Sequence, residues 1–230
     1  MTVLRNPVAV RLGKLADAGK TGALFLSGES GGVIHLEKGE IVHAESRGTP
    51  SLRTRTERSK ELAGHKTVSS FERRWMAWEA TMDAGTELLS VKPRYVRFRE
   101  AKNGAAEAGA GGMSVDELVT EVSRRHELLR QLSAVLAPDT PVVRSPRLKA
   151  RVIRVSDIQW AILMRLDDPA PPRTLAQELG QSLFSTTIEV FRMVAMDLVS
   201  VVGAPARPDD ETGESNRRKP AISFIRALAG

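Results

Sequence analysis

The stretch Leu12–Ser46, LGKLADAGKTGALFLSGESGGVIHLEKGEIVHAES, decides the fold of this chain of 230 residues. It predicts three short strands, over Gly22–Ser27, Val33–Glu37 and Glu40–Ala44, with a glycine-marked turn in each gap. Hairpin turns need a positive φ, which glycine adopts at little cost. The turn residues are Gly28, Gly31, Gly32, Lys38 and Gly39. We therefore expect an antiparallel β-meander.

Helices and a closing strand are expected around this meander. A short helix over Val8–Ala18 precedes it, a polar basic loop over Arg47–Lys66 follows it, and a longer helix covers about Thr67–Leu89. The apolar residues of the longer helix step by three and four and so share one face. They are Val68, Phe71, Trp75, Trp78, Met82 and Leu89. The segment YVRFR, 95–99, is expected to close the sheet.

A flexible linker, 101–113, leads into the second half of the chain. Ser114 and Glu117 form the capping box S-x-x-E, so a helix is expected to start here. Its apolar residues repeat as a heptad seam that Arg125 interrupts. They are Val115, Leu118, Val122, Leu129, Leu132 and Leu136. This seam makes a homodimer through the 114–136 helix possible.

Three short helical units and a small strand follow, in the layout of a winged helix. They cover Ser156–Asp167, Thr174–Gly180, Ser185–Leu198 and Val199–Val202. Ser156 and Thr174 are suitable N-caps, and Gly180 suits the end of the second helix. The residues expected to form a shared core are Ile158, Ala161, Ile162, Leu166, Leu175, Leu179, Ile188, Phe191, Val194 and Leu198.

The chain thus predicts an α+β fold: an N-terminal antiparallel β-meander with helices over 1–100, followed by a mostly helical, winged-helix-like domain over 114–203. The segment 204–230 is expected to be a disordered tail that ends in a short amphipathic helix. Such a helix could dock into a groove of this chain or of a partner, or pack on its own domain. Its docking residues are Ile222, Phe224, Ile225 and Leu228.

Composition limits the classes of function. The net charge is +6 and the isoelectric point about 10, with almost all of the positive excess in residues 1–100. This balance raises the prior for a nucleic-acid or nucleotide partner, with a solvated basic surface as the alternative. The absence of cysteine excludes disulfides and thiolate chemistry. No apolar run suits a membrane span and no signal peptide is visible, so we expect a cytoplasmic protein without membrane contact.

Two basic clusters could hold a DNA backbone or a nucleotide, because arginine binds phosphate with paired hydrogen bonds. Their predicted contact residues are Arg53, Arg55, Arg58 and Lys60 in the first cluster, and Arg147, Lys149 and Arg151 in the second. Solvated loops are the alternative. The third helix of the trio is poorly suited to bind DNA, since its expected outward residues include one basic and two acidic side chains. They are Ser185, Thr186, Thr187, Glu189, Arg192 and Asp197.

Catalytic, metal and cofactor sites are not predicted. His35 and His43 lie on consecutive strands and could face each other, but no metal-ligand spacing accompanies them. We expect a structural hydrogen bond from His43 to a turn. The segment GESGG, 28–32, joins two strands instead of opening a helix, so we interpret it as a hairpin turn and not a phosphate loop. No acid–base constellation is visible, and we expect no enzymatic activity.

Residues 1–100 resemble the PATAN-type domain of bacterial regulatory proteins. The residues that carry this resemblance are Gly22, Leu24, Leu26, Gly32, Ile34, Leu36, Gly39, Ile41, Val42, His43 and Ala44. The resemblance implies a non-catalytic adaptor or sensor module of bacterial signalling. The second half is similar to the winged-helix-like extension that accompanies some of these domains. The chain departs from the family pattern at TPSLRTRTERSK, 49–60.

We therefore expect a non-enzymatic bacterial regulatory or adaptor protein that acts on a protein partner in signalling. The alternative is a DNA-binding transcriptional regulator that uses the arginine clusters and the winged helix. A third hypothesis is a sensor of a nucleotide second messenger that uses Arg53–Lys66. Salt separates the first two, because DNA binding weakens steeply as salt is added, whereas apolar docking does not.

Overall fold

The predicted meander forms three strands of a four-stranded antiparallel sheet. The computed structural model describes residues 6–28, 30–63, 67–101, 111–146 and 152–203. The strands are β1 (Gly22–Leu26), β2 (Gly32–Glu37), β3 (Glu40–Ser46) and β4 (Val96–Glu100), in the spatial order β3-β2-β1-β4. The meander and its closing strand are thus confirmed. Most of the predicted linker, 102–110, lies outside the described residues.

The turn between β2 and β3 shows why glycine occupies the second gap. Lys38 and Gly39 have φ angles of 51° and 87°, both in the left-handed region that a tight hairpin turn uses. A Cβ on Gly39 would lie 2.5 Å from the carbonyl oxygen of Ala16. The Gly39 N–H donates to the carbonyl of Lys20 over 3.0 Å. Only glycine therefore lets this turn approach the end of helix α1 (Pro7–Asp17).

One face of the sheet is covered by helices, and this contact forms the first hydrophobic core. Helix α1, helix α3 (Ser70–Leu88) and the start of helix α4 (Val115–Leu132) contribute to it. Side chains in it with no measurable exposure include Leu12, Leu24, Ile34, Leu36, Leu118 and Val122. The first core therefore draws on both halves of the chain.

A helix stands where the sequence predicts a basic loop. Helix α2 covers Leu52–Ala63, so the loop expected over Arg47–Lys66 is wrong for most of its length. Arginine, glutamate and lysine are good helix formers. Leu52 and Arg55 are buried and fix one side of α2 to the protein. The helix was missed because Arg55, one of the residues that bury this side, is charged and does not count towards an apolar helix face.

The apolar face of α3 is buried only along the second half of the helix. Met82 and Leu89 lie in the first core, whereas Phe71 and Trp75 are 70% and 54% exposed. Their position on one helical face was predicted correctly. The first turns of α3 nevertheless extend beyond the sheet into solvent.

Helix α4 joins the two hydrophobic cores of the protein. Its capping box is present as predicted, with Ser114 and Glu117 bonded to each other's backbone. Val115, Leu118 and Val122 lie in the first core, and Leu132 lies in the second. The heptad seam is therefore covered within one chain. A homodimer through this helix stays a prediction, and it would have to use another face of the helix.

The predicted helical trio is present in the second half, together with a two-stranded sheet. Its helices are α5 (Asp157–Leu163), α6 (Pro172–Leu179) and α7 (Leu183–Ala195), and strands β5 (Val142–Arg144) and β6 (Val199–Val201) pair antiparallel. All ten residues expected in the shared core belong to the second core or pack against it. Strand β5 was not predicted from the sequence.

Two details of the trio differ from the prediction. Thr174 is not an N-cap, because α6 starts earlier, after Pro171 and without a side-chain cap. Thr186 and Thr187 do not face solvent but are buried, since α7 contacts both α6 and α4. The Thr187 hydroxyl donates to the carbonyl of Leu183 over 2.8 Å. No helix in the described part of the chain has the length and apolar character of a membrane span.

Candidate functional site

The first predicted basic cluster lies on α2 and does not form one surface. Arg55 is 2% exposed and points into the protein, so its prediction as a phosphate contact is wrong. Its partners are carboxylates of α3, described below. Arg53 is exposed and lies 3.9 Å from Glu57, and Arg58 pairs with Glu61 over 2.6 Å. Lys60 is exposed and has no ion pair among the described residues.

The other predicted contact residues lie outside the described residues. These are Arg147, Lys149 and Arg151 of the second basic cluster, and Ile222, Phe224, Ile225 and Leu228 of the tail. Their roles stay predictions.

The carboxylate of Asp83, which is 2% exposed, accepts four hydrogen bonds. Arg55 Nη2 donates to its Oδ2 over 2.5 Å, and Arg125 Nη1 donates to its Oδ1 over 2.8 Å. The hydroxyl of Ser182 and the backbone N–H of Leu183 each donate over 2.9 Å. We call these five residues the Asp83 hub. They come from α2, α3, α4 and the start of α7, so the hub connects both halves of the chain.

The charges of the Asp83 hub compensate one another. Its two buried guanidinium groups have further carboxylate partners: Arg55 Nη1 lies 3.6 Å from Glu79, and Arg125 Nε lies 2.9 Å from Glu121. Burial raises the pKa of Glu79, against the effect of Arg55. Hydrogen bonds from Arg124, followed by those from Arg125, lower the pKa of Glu121 to about 2. Every charge of the hub is therefore compensated, as buried charges require.

A second ionic contact connects the halves at Arg173. Its guanidinium donates to Glu87 over 2.8 Å, to Asp139 over 2.6 Å and to the carbonyl of Gly48 over 2.8 Å. Hydrogen bonding to Arg173 lowers the pKa of Asp139. A cleft of about 560 Å³ lies beside this contact, between the sheet domain and α7. The Asp83 hub and Arg173 together fix the two halves against each other.

A strip of aromatic side chains crosses the surface above the Asp83 hub. We define the aromatic strip as Phe71, Trp75, Trp78 and Phe184. The rings of Trp75 and Trp78 stack with their centroids 5.2 Å apart. The guanidinium of Arg125 lies 5.9 Å from the Trp78 ring and 4.7 Å from the Phe184 ring. The aromatic strip therefore runs from the projecting turns of α3 to the start of α7.

Exposed arginines and partly buried carboxylates both lie around the aromatic strip. Arg73 and Arg74 are exposed on the same turns of α3, and neither forms an ion pair in the described ranges. Arg124 lies 5.7 Å above the Phe184 ring and donates to Glu121. Sequence periodicity found Phe71, Trp75 and Trp78 but assigned them no function. Phe184 was missed, since the third helix was expected to begin at Ser185, whereas α7 begins at Leu183.

The two strand histidines face each other as expected. His35 and His43 are register partners, and their rings stack with centroids 6.1 Å apart. His43 Nε2 lies 3.1 Å from a carboxylate oxygen of Glu45, so the expected partner in a turn is wrong. Burial, and then the neighbouring His43, lower the pKa of His35. Among the described residues no group of three or more His, Asp or Glu side chains could hold a metal ion.

Comparisons with known proteins do not extend this description. No family model matches the chain, and neither a curated protein nor a solved structure matches it. The similarity to PATAN-type domains stays a prediction that rests on the strand and turn residues.

Proposed function

We propose that this chain is a non-enzymatic regulatory or adaptor protein of bacterial signalling, which binds a protein partner through the aromatic strip. The exposure of Phe71 and Trp75 on the projecting turns of α3 carries the proposal. Soluble proteins seldom leave contiguous large apolar side chains in water unless these bind something. Tryptophan and arginine are also the residues that most often dominate the binding energy of protein interfaces.

The charges around the aromatic strip indicate the chemistry of the partner. Arg74 comes three positions after Phe71 and one before Trp75, so it borders the rings, whereas Arg73 lies on another side of the helix. A partner that covers these rings must therefore neutralise the Arg74 guanidinium at the rim. We infer a partner segment with apolar side chains in its centre and an acidic residue at its edge.

The Asp83 hub supports the proposal from beneath the strip. Arg125 holds Asp83 with one nitrogen while its guanidinium contacts the rings of Trp78 and Phe184. The inner half of the strip is thus fixed before a partner arrives. A preorganised surface loses less conformational entropy on binding, which increases affinity.

The DNA-binding alternative has less support. Arg55 is committed to the Asp83 hub, and α7 presents few outward polar groups because Thr186 and Thr187 are buried. The residues left for a duplex on α2 are Arg53 and Lys60. The remaining predicted DNA contacts lie in the basic segment 147–151, outside the described residues.

Photo-crosslinking inside bacterial cells that make the full chain tests the proposal. A photoreactive amino acid replaces Trp75 in one variant and Trp160 in the control. Trp160 is 58% exposed on α5 and lies outside the aromatic strip. We expect one protein to crosslink at position 75 and not at position 160.

The crosslinked protein must then bind the purified chain directly. Phe71→Ala should weaken this binding by about tenfold, the effect of removing an interface hot spot of about 1.4 kcal/mol. Equal crosslinking at positions 75 and 160, or binding that Phe71→Ala leaves unchanged, would overturn the proposal.

A further inference from the structure

The face of the four-stranded sheet opposite the first core carries a second set of aromatic and basic side chains. Ala23, Phe25, Arg97 and Arg99 alternate with core residues along β1 and β4, and so lie on the face opposite the helices. Phe25 is paired directly with Arg97 on one side and with Val33 on the other. Phe25 therefore occupies the middle of this outer face.

Three diagonal neighbours of Phe25 are aromatic or cationic. Diagonal partners across a strand pair lie about 7–8 Å apart, within reach of long side chains. On the β4 side these positions are Tyr95, which directly precedes the strand, and Arg99, whose guanidinium lies 5.2 Å from the Phe25 ring. On β2 the diagonal partner is His35. Phe25 is 38% exposed and Tyr95 65%, so both rings are accessible from solvent.

A wide recess of about 1050 Å³ adjoins this face and brings further positive charge to it. Its lining includes Phe25, Tyr95, Arg47, Arg94 and Glu45. Glu45 lies 3.1 Å from His43, which occupies one of its oxygens. The recess therefore presents more positive than negative charge to a ligand.

The basic residues of the strand edge are available to an anionic ligand. Arg97 and Arg99 are exposed and form no ion pair within the described ranges. The one nearby carboxylate on β4, Glu100, pairs with Lys20 over 2.9 Å. A ligand with planar groups could stack on the aromatic rings of this face. Regularly spaced negative groups of the same ligand could bind its guanidinium groups.

We propose that this outer sheet face binds single-stranded nucleic acid, with a base stacked on Phe25 or Tyr95 and phosphates held by Arg97 and Arg99. Stacking on aromatic rings and backbone contacts from a basic surface are how single strands are bound without a sequence code. A duplex hides the faces of its bases, so it cannot use these rings. This site is separate from the aromatic strip, which lies on α3 and α7.

Fluorescence anisotropy with labelled oligonucleotides tests this inference on the full chain. The probes are single-stranded DNA and RNA of about 12 nucleotides and a DNA duplex of the same length, at about 50 mM and about 200 mM salt. We expect either single strand to bind at least about tenfold more tightly than the duplex. The DNA and RNA arms show which sugar is preferred.

Three variants localise the binding. Phe25→Ala should weaken single-strand binding by about tenfold, since stacking on one ring is worth about 1–3 kcal/mol by alanine substitution, and Phe25→Tyr should retain it. Arg97→Glu should also weaken it and reduce its salt dependence. Arg53→Glu changes charge equally on α2, where the side chain is 86% exposed, and should have a smaller effect.

The outcomes that overturn the inference are specific. They are duplex binding as tight as single-strand binding, no binding at the lower salt concentration, and equal losses from Arg53→Glu and Arg97→Glu. Phe71→Ala serves as the aromatic control, because it removes a ring of the aromatic strip. Phe71→Ala should weaken binding of the protein partner and leave binding of the oligonucleotide unchanged. The two proposals can therefore fail independently.

Discussion

Replacing Asp83 by alanine should destabilise the whole protein and not one half of it. The substitution removes the carboxylate that accepts four hydrogen bonds from α2, α4 and the start of α7. Arg55 and Arg125, which are 2% and 3% exposed, would stay buried without their shared counter-ion. The N-terminus of α7 would also lose the acceptor for two of its donors. We expect the two halves to separate more easily.

The size of the effect follows from the contacts. Hydrogen bonds to a charged group contribute about 1.5–3 kcal/mol each, so four of them exceed the net effect of most single substitutions. The expected loss of stability is smaller than the total of these four hydrogen bonds for two reasons. Burying the charge of Asp83 costs free energy in the native protein, and each arginine retains another carboxylate partner, Glu79 or Glu121. Removing one partner of a buried ion pair costs about 3–5 kcal/mol, and we expect a loss in this range.

Urea denaturation followed by tryptophan fluorescence and far-ultraviolet circular dichroism measures this loss. At an m-value of about 2 kcal/mol/M, a loss of about 4 kcal/mol lowers the midpoint by about 2 M. Asp168→Ala is the control, because this exposed aspartate should change stability by less than about 0.5 kcal/mol. Equal midpoints for the Asp83 and Asp168 variants would refute the role of the Asp83 hub.

Three smaller changes test other parts of the fold, each by the free energy of unfolding in urea. Gly39→Ala should cost about 1–3 kcal/mol, because alanine there meets both a positive φ and a carbonyl of α1. Ser156→Ala removes the capping box of α5 and should cost about 1 kcal/mol, whereas Thr174→Ala, at an exposed position inside α6, should cost less than about 0.5 kcal/mol. Glu121→Gln should reduce the loss of stability in acid. Arg124 holds the pKa of Glu121 at about 2, below its ordinary 4.5, so its contribution is complete above pH 4.5 and is lost as the pH falls towards 2.

The glycine and serine substitutions each have a control within the chain. Gly13→Ala lies in α1 with no atom within 4 Å of the added Cβ, so it should not destabilise the protein. An equal loss of stability in Gly13→Ala and Gly39→Ala would refute the conclusion that Gly39 is required for the close contact with α1. Equal effects of the serine and threonine substitutions would refute the cap of α5. An unchanged acid profile in Glu121→Gln would exclude that carboxylate as a source of acid lability.

The backbone architecture was largely predictable from sequence, because its signals are local. Glycine at the turns and alternating apolar residues place the meander, and Ser114 with Glu117 places the start of α4. The loop expected over Arg47–Lys66 failed for a non-local reason. Arg55 anchors α2 through Asp83, which is 28 positions away, and a periodicity search treats a buried arginine as solvent-exposed.

The candidate sites were less predictable, because they depend on which helix faces meet. Periodicity placed Phe71 and Trp75 on one face but did not indicate that the first turns of α3 extend beyond the sheet. The interruption of the heptad seam by Arg125 was the one local sign of the Asp83 hub. A charged residue in an apolar seam predicts a buried counter-ion, and sequence alone does not identify which carboxylate supplies it.

The dissociation constant of the crosslinked partner, measured with Trp75→Ala and with Trp160→Ala, tests the central claim most directly. Both variants remove an exposed tryptophan, and only the first belongs to the aromatic strip. We predict that Trp75→Ala raises the dissociation constant by about tenfold or more and that Trp160→Ala leaves it unchanged, with a weak dependence on salt. Equal dissociation constants for the two variants would contradict the assignment of the aromatic strip as the protein-binding surface.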